Sequence, residues 1–61
     1  MKNSIDTIQD WFAKINDEAL DNLTKWEADF IASIEEQFDK KGWLSDRQEE
    51  ILERIYAQYT N

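Results

Sequence analysis

The side chains of this sequence that could do chemistry are nearly all carboxylates. They cluster as Asp17-Glu18-Asp21, Glu35-Glu36-Asp39 and Glu49-Glu50-Glu53, a spacing that sets two acids of each cluster one helical turn apart. Divalent-metal binding is the sharp reading of such clusters. A calcium loop, however, needs oxygens converging from a turn built around a glycine, whereas adjacent carboxylates on a straight helix diverge into water. Nucleophilic catalysis fares no better. The chain has no histidine and no cysteine, so Ser4, Ser33, Ser45 or a threonine would need a carboxylate or a lysine as its base. Ser45 and Thr24 are better explained as helix caps, and Ser33 as a small residue between Ile31 and Ile34. The expectation is therefore no enzyme activity, no metal and no cofactor.

What remains for the acids is a solvated face or recognition. Fourteen acidic against seven basic side chains give a net charge of −7, which disfavours phosphate binding because nucleic-acid affinity rests on cationic neutralisation. A protein with a basic surface is the better partner. Asp6/Asp10, Asp17/Asp21, Glu35/Asp39 and Glu49/Glu53 are like-charge pairs four residues apart, each costing roughly 0.2–0.5 kcal/mol on a helix. Lys25–Asp29, Glu36–Lys40 and Glu50–Arg54 offset part of this. The acids without a partner in that pattern, Asp10, Asp17, Asp21, Glu35, Asp39, Glu49 and Glu53, are the candidates to face a cationic groove of the kind that holds DNA or RNA.

Three helices must position these residues. Asn3 or Ser4 can cap the first, in which Ile5, Ile8, Phe12, Ile15 and Ala19 recur at helical spacing, with Trp11 on the same side. Asp6, Asp10, Asp17 and Asp21 gather within roughly 60° on the opposite side. Asn16 before Asp17 and Glu18 is a weak point, and the expectation is a continuous helix across it. Thr24 with Glu27 and Ser45 with Gln48 are capping boxes that open two further apolar runs. The second run carries Trp26, Phe30, Ile31, Ile34 and Phe38 and ends at Lys40, Lys41 and Gly42, where cations complement the helix dipole and glycine can turn left-handed. The third presents Ile51, Leu52, Ile55, Tyr56 and Tyr59. The predicted helices span 4–21, 25–41 and 46–59, an all-α fold that is a three-helix bundle or a helical hairpin with an added N-terminal helix.

Residues 1–61 form a single acidic domain, too short to bury a large core and without disulfides to brace it. Eight aromatic residues are many for such a core, so self-association, most simply as a dimer, is expected. Trp26 and Tyr56 lie within apolar arcs and are assigned to the core. Trp11, Trp43 and Tyr59 are the aromatic candidates for an interface, Trp43 with the alternative of plugging the end of the bundle beside Gly42. The start, MKNSIDTIQDW, lacks a signal peptide's apolar stretch and no run approaches the roughly 20 residues of a membrane span, which predicts a cytoplasmic protein.

Trp26-Glu27, Phe30-Ile31, Ser33-Ile34, Gln37, Gly42, Leu44-Ser45, Gln48 and Ile51-Leu52 resemble a short helical segment, W-E-x-x-F-[IL]-x-S-[IL]-x-x-Q followed by G-x-L-S-x-x-Q-x-x-[IL]-[IL], seen in phage and prophage proteins of DNA metabolism. The resemblance covers Leu23 to Ile55, about half of the chain. Caps and apolar spacing generate much of it, although helix rules do not demand Gln37 or Gln48. It implies a phage or mobile-element source, hence a host cytoplasm, and a role near replication, recombination or defence proteins. It implies no catalytic residues. That segment usually accompanies other sequence, whereas here one acidic helix precedes it, which suggests a regulator of another protein. Three functions are the resulting expectations: an inhibitor or adaptor of nucleic-acid-processing machinery such as a host defence complex, an accessory module of the phage's own replication or recombination machinery, and a structural, self-assembling helical protein.

Overall fold

The computed structural model describes residues 2–60. It is all-α. Three helices, α1 (Ile5–Lys14), α2 (Lys25–Lys41) and α3 (Asp46–Tyr59), carry the fold, and no strand occurs among the described residues. Ser4 caps α1, its Oγ accepting from the Thr7 backbone N–H at 3.2 Å. Both capping boxes form. Thr24 Oγ1 accepts from Glu27 N while Glu27 Oε1 accepts from Thr24 N, and Ser45 and Gln48 repeat the exchange at the start of α3. Gly42 ends α2 at φ +78°, a left-handed conformation in which a side chain would be strained, and its N–H donates to Phe38 O at 2.8 Å.

The first helix departs from its expected continuity. Beyond Lys14 the chain widens into a π turn over Ile15–Ala19, then tightens into a 3-10 turn over Leu20–Asn22. A π turn bonds i to i+5 and so holds one residue more than an α turn, which rotates the later residues by about 100° relative to a continuous helix. Asp17 and Asp21 therefore do not continue the stripe of Asp6 and Asp10. Asn16, within this turn, makes no cap; its Nδ2 donates to Glu35 Oε2 on α2 at 3.0 Å. The turn is thereby tied to a neighbouring helix.

The core joins Ile8, Phe12, Ile15 and Ala19 to Ile31, Ile34 and Phe38 of α2, Leu52 and Ile55 of α3, and Leu44 of the intervening turn. Full burial of an aliphatic side chain of this kind stabilises by roughly 1.5–3 kcal/mol. Phe12 meets Phe38 with ring centroids 6.0 Å apart, and Trp11 meets Tyr56 at 5.7 Å. Leu44 answers the question left open for Trp43. The leucine enters the core and is fully buried, while Trp43 stays 48% exposed.

Two aromatic and aliphatic assignments are corrected. Trp26 is 62% exposed and not part of the core. Its run with Phe30, Ile34 and Phe38 advances by four residues each time, and because four residues overshoot one turn by about 40°, the row walks about 120° around the helix. Only its far end faces inward. Ile5, at the edge of α1's apolar arc and in its first turn, is half exposed.

Candidate interaction surfaces

The acids singled out by charge pattern fall into exposed, paired and buried settings. Asp17 and Asp21 are exposed along the turns beyond α1, and Asp39 and Glu53 are exposed on α2 and α3. Asp10 is exposed but not unpaired, since Lys14 Nζ lies 3.5 Å from its carboxylate. That carboxylate, with the Tyr56 hydroxyl, holds the Lys14 ammonium above its ordinary pKa. Glu35 is half-buried and accepts the Asn16 amide. The pair Lys40–Glu36 forms at 2.8 Å, as its spacing suggests.

Glu49 is corrected as a candidate to face a partner's cationic groove. It is 2% exposed, and its carboxylate receives the Lys2 backbone N–H at 2.7 Å, the Asn3 backbone N–H at 2.8 Å and the Asn3 side-chain amide at 3.1 Å. A carboxylate satisfied in this way organises the entry to α1 and is not available to a partner. The sequence did carry a signal. Glu49 precedes Leu52 by three residues and Tyr56 by seven, which places it inside the apolar arc of α3.

The excess charge is concentrated in the first segment. Residues 5–22 contain five acids and one base, a net of −4, whereas α2 and α3 carry −2 each. Among the described residues no three acids converge as metal ligands would. Five of the hydroxyls take part in structure: Ser4, Thr24 and Ser45 cap helices, Ser4 Oγ also donates to Thr7 Oγ1, and Thr60 Oγ1 donates to Tyr56 O at the end of α3.

The expected aromatic site also divides. Trp11 and Tyr59 are half-buried and pack against the core, so each offers an edge to solvent. Tyr59 Oη donates to Glu27 Oε1 at 2.7 Å, bridging the end of α3 to the start of α2. The Thr24 backbone N–H and then the Tyr59 hydroxyl hold the Glu27 carboxyl below its usual range, and the same bond pushes the Tyr59 phenol up. The most exposed ring is Trp26, stacked on Phe30 with centroids 5.3 Å apart and planes 7° from parallel. Helical periodicity puts Ser33, Gln37 and Lys40 on that same face of α2. Ser33, Glu36, Gln37, Lys40 and Lys41 line an open depression of about 270 Å³ at its C-terminal half.

Gln37, a position that helix rules do not demand, clasps Gln48 of the α3 capping box. Gln37 Nε2 donates to Gln48 Oε1 at 3.1 Å and Gln48 Nε2 returns a bond to Gln37 Oε1 at 3.0 Å, while Gln37 also reaches Trp43 O at 3.3 Å. The two amides thus bridge α2 to the start of α3. Comparisons with family models, with characterised proteins and with solved structures give no match. No helix among the described residues is long and apolar enough to cross a membrane.

Proposed function

We propose that this chain is a non-catalytic, phage-type protein-binding module that inhibits or regulates nucleic-acid-processing machinery, such as a host defence complex, in the host cytoplasm. The observation that carries this reading is the net charge of −4 on residues 5–22, with Asp6, Asp10, Asp17, Glu18 and Asp21 all exposed. Such a segment complements a groove built for a polyanion and would compete with the nucleic acid for it. The use of the Ser4, Thr24, Ser45 and Thr60 hydroxyls as caps and turn bonds supports the non-catalytic part. The resemblance of Leu23–Ile55 to a segment of phage DNA-metabolism proteins supports the phage part. Self-association through exposed aromatic surface belongs to the same reading.

The test is capture of the host partner by affinity purification and mass spectrometry, followed by binding of Asp17→Lys/Glu18→Lys/Asp21→Lys. These sites are exposed, so the variant should keep its helical spectrum, associate at least about tenfold more slowly, and lose the salt dependence of the parent chain. Unchanged affinity at every salt concentration would remove the electrostatic reading.

A second reading is an accessory module of phage replication or recombination machinery that touches single-stranded nucleic acid. The stacked Trp26–Phe30 pair beside Lys25 favours it, because exposed rings offer a platform for unstacked bases. Titration with a fluorescent oligonucleotide separates the two: saturable binding at physiological salt that is lost in Trp26→Ala favours the accessory module.

A further inference from the structure

We draw no further inference here: the strongest candidate, the exposed surface patch of α2 formed by the Trp26–Phe30 stack and the open depression beside Ser33, Gln37 and Lys40, carries nothing because no feature of the structure shows what covers it.

Discussion

Glu49 shows how far a side chain's role can lie from its charge. The residue belongs to an acidic cluster in sequence, yet it accepts two backbone N–H groups and an amide and sees almost no solvent. Glu49→Ala leaves those donors without an acceptor and should cost about 2 kcal/mol in denaturant titration, whereas exposed Glu53→Ala should lie within about 0.5 kcal/mol of the parent. Glu27 gives a second expectation. Because its folded pKa is held below the unfolded value by Thr24 N–H and Tyr59 Oη, its contribution is present above the ordinary glutamate pKa and is lost as pH falls through the lowered one. Acidification below that range should therefore destabilise the parent chain more than Glu27→Gln, read as the difference between their melting temperatures across an acid series. A parallel pH dependence in the two proteins would refute the linkage.

The termini of α2 and α3 were legible because each is decided by two or three neighbouring residues. Thr24 with Glu27, Ser45 with Gln48, and Gly42 stand where backbone groups lack helical partners, and no tertiary contact is needed to read them. Thr24→Ala and Ser45→Ala should each cost about 1 kcal/mol, and Gly42→Ala about 1–2 kcal/mol from its left-handed backbone, in equilibrium unfolding. The π turn after Lys14 was not legible. Asn16 stood out only as a weak point in a continuous helix, but its amide goes to Glu35, nineteen residues away, a partner no local rule supplies. Trp26 was misplaced for a different reason: regular four-residue spacing resembles a stripe while drifting off the face it began on. Gln37 was visible in sequence as an unexplained position and became intelligible only with α2 and α3 side by side, where it pairs with Gln48, itself already legible as half of a capping box. A double-mutant cycle on the two glutamines should give a coupling of about 0.5–1.5 kcal/mol. Additive effects would mean that the two amides do not act as a pair.

The whole molecule is small and closes on itself. Its radius of gyration is 10.5 Å, which is about the value for a compact chain of this length, so one copy already encloses a complete core. The aromatic surplus noticed in the sequence is accordingly distributed at the surface, in Trp26 and Trp43 and in the edges of Trp11 and Tyr59. The fold class followed from helix periodicity and caps; the candidate surfaces followed only in part, since the acids could be counted but not sorted into exposed, paired and buried.

The Glu49 contact also bears on the order of assembly. It joins residues 46 and 47 positions apart, while the glutamine clasp joins residues 11 apart. Closing the longer loop costs more chain entropy before anything is gained, so the hairpin should form first and the attachment of residues 2 and 3 last. In stopped-flow experiments Glu49→Ala should then leave the refolding rate nearly unchanged and accelerate unfolding by about 30-fold for a 2 kcal/mol loss, whereas Gln48→Ala should act mainly by slowing refolding. The carboxylate buried at the start of α3 would in that event act as a latch on the finished molecule, setting how long it stays folded rather than how quickly it gets there.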